Sequence, residues 1–448
     1  MESRGAAHRR QCPHALLHRP SPPAARRRKR RHRNGGTGLK SATRGSLGLT
    51  AYRTLSGRKT APPFTPPTPR PKGELVWIHA GEEGNGRAIT DVALRLVALR
   101  PECAVLLTGT PVAPPGGPDD GILRQHIDSD HPEVADAFIA HWKPDIVVWT
   151  WGGMRPNIVL AAKASGAHMI LVDAAQDGFD RRRNRWLPEV PRRLLAQFDV
   201  VMARSQPAFA RLVQLGRPIT EIELASPLRP FGHTLPAHDS DVAEVTEALR
   251  GRPTWLAAHV HADEVATVLA AHRQALKVAH RLLLILLVSD PETVPRVTNV
   301  AASRGLNATL WSDGTFPDDH AQVLVADAVD ELGLWLRVSP VAFLGGSLGP
   351  ETEDTDPYTA AAHGTAIVYG PYVPTHSDAY KRLLTAGGAR IINDASSLGL
   401  AVSQMVAPDR AAQMAMAGWD VLTEGAHSLD RIVSRIQNQL DRIAKEHA

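Results

Sequence analysis

From Glu74 onward the chain alternates short, almost wholly apolar runs with stretches of helical periodicity. The runs read LVWIHA, AVLLTG, IVVWTW, MILVDA and VVMARS, and helices are expected near Ile89–Leu99, Ala135–Trp142 and Ile158–Lys163. A strand wetted on one face alternates apolar and polar residues. A run apolar throughout is covered on both faces, as in the parallel sheet of successive βαβ units. After a Pro-containing bridge the pattern restarts with TWLAAHV, LLLILLVS, ATLWS, VLVADA, VAFLGG and AIVYG, and it closes on an amphipathic helix near Leu429–Ile443. The expected fold is α/β, with two Rossmann-like, doubly wound domains facing an interdomain cleft. Ligands of such sheets bind beyond the carboxyl ends of the strands.

A chain of 448 residues exceeds what one hydrophobic core organises. The pattern divides it into residues 73–226, a bridge at 227–253, and residues 254–448. Ahead of these lie a short amphipathic helix over Ser46–Leu55 with a Pro-rich linker (44–72), and a Pro- and Arg-rich arm (1–43) too poor in apolar residues to order itself. The arm is either attracted to anionic lipid or nucleic acid, or a passive tail. The helix either rests on a membrane surface, helped by Arg44, Arg53, Arg58 and Lys59, or packs on the first domain.

Residues 1–59 contain 16 Lys and Arg and one acid, Glu2, whereas the whole chain carries +5, so the folded body is acidic. The high pI therefore belongs to the arm, and no nucleic-acid partner is expected. With only Cys12 and Cys103, neither a disulfide framework nor a Cys metal site is expected, which suits a reducing cytosol. The longest apolar run, Leu282–Val288, is the length of a buried strand, so no transmembrane helix is expected, and the N-terminus lacks the apolar core of a secretory signal.

Several segments point further. The second half contains Trp255-Leu256-Ala257-Ala258 followed by His261 and Glu264. After these come Val325-Ala326-Asp327 with Glu331-Leu332-Gly333, then Phe343-Leu344-Gly345-Gly346-Ser347, Pro357 with Ala361, Ala362 and Gly364, and Gly370-Pro371. In the first half, Trp77-Ile78-His79-Ala80, Thr108-Gly109-Thr110, Trp142-Lys143-Pro144-Asp145 and Pro156-Asn157 complete the order. From about Gly73 to the end, the chain resembles the bacterial 3-deoxy-D-manno-octulosonic acid (Kdo) transferases. The resemblance implies the GT-B fold, CMP-Kdo as donor, a lipid A precursor as acceptor, and work at the cytoplasmic face of the inner membrane. It implies no cofactor, and no metal is expected.

Against that family, several positions differ. Where the family's proposed general base, a Glu, follows the first strand, this chain has Asn85, and an amide cannot take the acceptor's proton. Glu83, or Glu82 beside it in the same loop, is the substitute base; the alternative is a solvated acidic loop ahead of a helix N-terminus. Trp151-Gly152-Gly153-Met154 stands where the family has an acidic acceptor segment. Ser289-Asp290 replaces an Arg-His pair, and Thr359 replaces a ribose-binding Glu.

Gly345, Gly346 and Ser347 would offer free N–H groups to the donor phosphate, or form an ordinary strand-to-loop turn. His261 would meet that phosphate or cap a helix, with Glu264 beside it, while Asp327 and Glu331 would fix the nucleotide. The acids Glu351, Glu353, Asp354 and Asp356 read as a solvated loop. Two functions follow: a Kdo transferase, or a non-catalytic GT-B relative that binds a sugar nucleotide or lipid, with a transferase of different donor and acceptor as a third.

Overall fold

The computed structural model describes residues 47–58, 60–61, 63–81, 86–109, 120–177, 189–314 and 316–447. The basic arm, the Glu82–Asn85 stretch and Thr110 lie outside the described residues.

The first sheet has seven strands: β1 (Leu75–Ala80), β2 (Ala104–Gly109), β3 (Ile122–Gln125), β4 (Ile146–Thr150), β5 (His168–Ala174), β6 (Val200–Ala203) and β7 (Ile222–Leu224). They pair in the order β3-β2-β1-β4-β5-β6-β7, all parallel. The second sheet comprises β8 (Thr254–Val260), β9 (Leu283–Val288), β10 (Ala308–Leu310), β11 (Val323–Ala326), β12 (Val341–Leu344), β13 (Ala366–Tyr369) and β14 (Ala389–Ile391). Its order is β10-β11-β9-β8-β12-β13-β14, again all parallel. Two Rossmann-like sheets in series are the GT-B arrangement. Strand order reverses at β1/β4 and at β8/β12, so the loops after these four strands crowd together at the sheet tops.

The central strands form because nearly every residue in them is buried: β1 and β9 are buried at all six positions. Three edge strands were not anticipated. β3, β7 and β14 have three or four residues each, interleave charges such as Glu223 and Arg390, and are only partly buried. The bridge contains an unanticipated helix, Asp239–Leu249, whose Val245 packs into the second core.

The chain ends in a helix of 40 residues, Pro408–His447. Its start packs on the second half through Ala411, Val421 and Leu422. Its last turns insert Leu429, Ile432, Val433, Ile436 and Leu440 among Val76, Ile78 and Val148 of the first sheet. The end of the chain thus completes the first half, whereas its sequence position grouped it with the second.

The helix Leu47–Ser56 docks on the first half. Leu49 is buried, Tyr52 Oη donates to Asp130 at 3.0 Å and Arg53 pairs with Asp136 at 2.6 Å, while Leu55 remains exposed. Among the described residues no helix is long and apolar enough to cross a membrane.

Candidate functional site

The tops of β1 and β4 are stitched together. Gly81 N–H donates to Thr150 Oγ1 at 2.6 Å, and a Cβ on Gly81 would lie 2.9 Å from the Gly152 carbonyl, so the two loops leave no space for a side chain there. Directly below, His79 is buried against the Trp149 ring at 3.9 Å and shares a 2.8 Å hydrogen bond with Thr108 Oγ1, which also accepts the Trp77 indole N–H at 2.8 Å. Burial, with the Arg155 charge adding to it, pushes His79 down to about 3. His79 is therefore neutral at ordinary pH, and it braces the end of β1 against Thr108 and Trp149 rather than supplying a charge. Glu82 and Glu83 themselves lie outside the described residues.

In the second half the geometry corrects the expected phosphate cradle. The Gly345 N–H is given to the Ala258 carbonyl at 2.8 Å. The next three N–H groups, of Gly346, Ser347 and Leu348, all go to the Glu264 carboxylate at 2.9, 3.1 and 3.0 Å. The His261 N–H reaches the same carboxylate at 3.2 Å. Glu264 is 1 % exposed. It acts as the internal anion of the nest, which leaves none of these N–H groups for a ligand and takes Glu264 itself out of ligand contact. Ser347 is fully buried: its Oγ donates to the Leu344 carbonyl at 2.5 Å and accepts the Gly370 N–H at 2.8 Å. Gly346 has φ +71°, and a Cβ there would collide with the Glu353 carbonyl, so glycine is required by both backbone angle and space.

His261 stays half-buried at the mouth of this loop. Its neighbour His259 sits at φ +51°, where the β8/β9 register slips, and burial followed by the His261 charge holds it below its ordinary pKa. The first half has a counterpart: Asp173, at φ +57°, where the β5/β6 register slips. Burial pushes the Asp173 carboxyl up while it accepts the Leu228 N–H at 3.0 Å. Left-handed backbone in a side-chain-bearing residue is strained, and each half places one such residue at the top of a strand facing the cleft.

Asp327 and Glu331 come together after β11. Asp327 accepts the Ser312 N–H at 3.1 Å. Burial raises the Glu331 carboxyl, a Trp311 hydrogen bond opposes it, and the Asp327 charge adds to the rise; Glu331 Oε2 has no partner among the described residues. Within the acidic loop, Asp354 is buried and accepts the N–H groups of Thr375 and His376 and the His376 ring. Asp356 caps the helix Pro357–Ala362 through Tyr358 N–H at 3.1 Å and takes the Thr359 hydroxyl at 3.4 Å. These two acids are structural members of the loop rather than solvated charges.

Residues that sequence reasoning passed over join the two halves. Arg87, one residue into the helix Gly86–Leu99 that follows the expected catalytic loop, pairs with Asp356 across the cleft. The buried Asp91 on the same helix accepts the Phe231 N–H at 2.6 Å and the His233 ring at 2.7 Å. Nearby opens a cavity of about 750 Å³ lined from the first half, the bridge and the second half. Its cations lie between positions 87 and 382, and no spacing in the sequence announces them.

The comparisons agree with this geometry. The family model described as 3-deoxy-D-manno-octulosonic-acid transferase matches residues 54–230. A 3-deoxy-D-manno-octulosonic acid transferase of Bordetella pertussis is 28 % identical over 380 residues, covering 80 % of this chain and 86 % of the relative. The probable mitochondrial enzyme of that name from Arabidopsis thaliana is 24 % identical over 345 residues, 75 % of this chain and 77 % of its own. That of Haemophilus influenzae is 22 % identical over 387 residues, 84 % and 88 %. These matches run through both sheets, and over most of its length the chain is similar to 3-deoxy-D-manno-octulosonic acid transferases.

Proposed function

We propose that this protein transfers Kdo from CMP-Kdo to a lipid A precursor at the cytoplasmic face of the bacterial inner membrane, as a step of lipopolysaccharide biosynthesis. The observation that carries the reading is the continuity of the family likeness across both halves, over 380 residues in one relative, which embraces acceptor and donor sides of a single cleft. Transfer is an inverting displacement at the sugar's anomeric carbon. The acceptor oxygen attacks, its proton passes to a carboxylate, and CMP leaves with the bonding electrons.

Glu83, with Glu82 beside it, is the proposed base, held in the loop between the stitched Gly81 and Arg87. Asp327 and Glu331 are the proposed contacts for the nucleotide end, and His261 is the imidazole placed to meet the donor's anionic groups. With the N–H groups after β12 committed to Glu264, the donor phosphate relies on side chains rather than on a backbone nest. Membrane attachment is assigned to the helix Leu47–Ser56, whose Leu55 is 60 % exposed and whose Arg53 flanks it.

The test is CMP release by the purified protein given CMP-Kdo and a lipid A precursor, with Glu83→Gln alongside. Release abolished by the substitution supports the reading. CMP-Kdo that is neither consumed nor bound at millimolar concentration overturns it in favour of a non-catalytic relative.

A further inference from the structure

The cavity where the bridge meets both halves gathers cations to which the proposed transfer assigns no role. We propose that it is an anion site, binding a phosphate group, free or carried on a sugar, and separate from the nucleotide end of the cleft. None of His261, Asp327, Glu331 or Ser347 lines it.

Three parts of the protein supply its positive charge. Arg87 and Arg204 come from the first half, Arg229 from the bridge, and Lys381 and Arg382 from the helix Ser377–Ala386. Three carboxylates face them, Asp173, Asp378 and Glu424. Two further acids outside the lining pair with the arginines of the first half, Asp356 with Arg87 and Asp177 with Arg204 at 3.9 Å, which leaves the excess of positive charge on the side of Arg229, Lys381 and Arg382, opposite Asp378 and Glu424. Glu424, with its side chain 66 % exposed, is divided between Arg229 at 3.1 Å and Arg382 at 3.6 Å. Asp173 already accepts the Leu228 N–H, burial disfavours its charge, and it approaches Arg204 only to 3.8 Å. Asp378 and Lys381 have no ion pair among the described residues. The His376 ring, also on the wall, is committed to Asp354 at 2.9 Å.

The guanidinium of Arg382 is set before any ligand arrives. It donates to Tyr358 Oη at 2.6 Å and to the Val421 carbonyl at 3.3 Å, and lies 5.8 Å from the centre of the Tyr358 ring. A fixed fork beside the Lys381 ammonium and a second fork matches the oxygens of a phosphate, and binding spends little ordering entropy on the Arg382 side. The hydroxyls of Thr375, Ser377 and Thr385 line the same wall and suit a sugar carrying that phosphate. Because Arg229 and Lys381 come from different parts of the chain, an anion between them binds only while those parts keep the arrangement described here.

The assignment does not rest on the transferase reading and is tested without turnover. The intact protein is titrated calorimetrically with inorganic phosphate, with glucose 1-phosphate and with CMP, at low and moderate salt. Saturable binding of one or both phosphates is expected, weakened by salt and by about tenfold or more in the Arg229→Gln/Lys381→Gln double variant. It should be retained in Lys381→Arg and in Lys277→Gln, a surface control outside the cavity. Preference for glucose 1-phosphate identifies a sugar-borne phosphate, and equal binding a free one. No saturable binding, binding indifferent to the double variant, or displacement by CMP overturns the proposal.

Discussion

Glu264 and Ser347 meet at the switch point of the second sheet: the carboxylate takes the Ser347 N–H at 3.1 Å, and Ser347 Oγ in turn receives the Gly370 N–H at 2.8 Å. One buried charge thus sets the loop after β12, and that loop sets the one after β13. Glu264→Ala leaves four N–H donors without an acceptor, those of Gly346 and Ser347 buried, and should lower unfolding free energy by ~3 kcal/mol or more. Denaturant titration checks this, and a loss below ~0.5 kcal/mol would show that water replaces the carboxylate at no cost.

Gly346→Ala should be comparably harmful for a different reason, since the left-handed backbone and the Glu353 carbonyl both exclude a Cβ. A loss of ~2 kcal/mol or more is expected, with donor affinity falling in parallel. A stable variant with wild-type donor binding would mean that the loop relaxes freely.

The Arg87–Asp356 pair joins the halves, four residues along the chain from Glu83, with side chains 46 % and 19 % exposed. Solvent screening keeps its worth in stability small, ~0.5–1 kcal/mol in a double-mutant cycle. Asp356→Asn preserves the helix cap while removing the charge. In that variant kcat should change more than the denaturation midpoint, and equal proportional changes would reduce the pair to a surface contact.

Acid should destabilise the protein through two histidines. Burial pushes His79 down to about 3 and His272 to about 4, and the Trp255 indole N–H donates to His272 Nδ1 at 3.1 Å. Their folded pKa values lie below the ordinary ~6.5, so the unfolded chain binds more protons between those limits. Their contribution is complete above pH ~6.5 and is lost as pH falls toward the folded values. His272→Gln should flatten the stability curve between pH ~6 and ~5 by up to ~1.4 kcal/mol per unit. Parallel curves for the variant and the wild type would refute it.

The central strands could be read from sequence because a run buried on both faces carries its own signature, as in Leu283–Val288. The strands β3, β7 and β14 could not, because Ile222-Glu223-Leu224 and its like are too short and too mixed to show a period. The final helix was half legible: Leu429–Ile443 is visibly amphipathic, whereas the buried stripe of its first half is made partly of Ala411, Gly418 and Gly425 while Met416 and Trp419 lie exposed, so residue type hides which face is apolar. At the site, Glu264 was expected beside the donor phosphate, whereas its carboxylate accepts the N–H groups of the loop itself. A carboxylate near a Gly-Gly-Ser loop looks the same in sequence whether it faces a ligand or fills the loop itself. The cavity arginines were invisible because folding, rather than spacing, brings residues 87, 204, 229 and 382 together.

The last turns of the Pro408–His447 helix cover Val76, Ile78 and Val148. Ile436, fully buried there, should cost ~3 kcal/mol on truncation to Ala, a loss charged to a sheet built more than 200 residues earlier. During synthesis the ribosome delivers β1 to β7 long before that covering helix exists. At ~5–20 residues per second the first sheet waits ~10–40 s with only the helix Gly86–Leu99 on that face and the rest of it uncovered, a span in which a chaperone rather than the native fold must shield it.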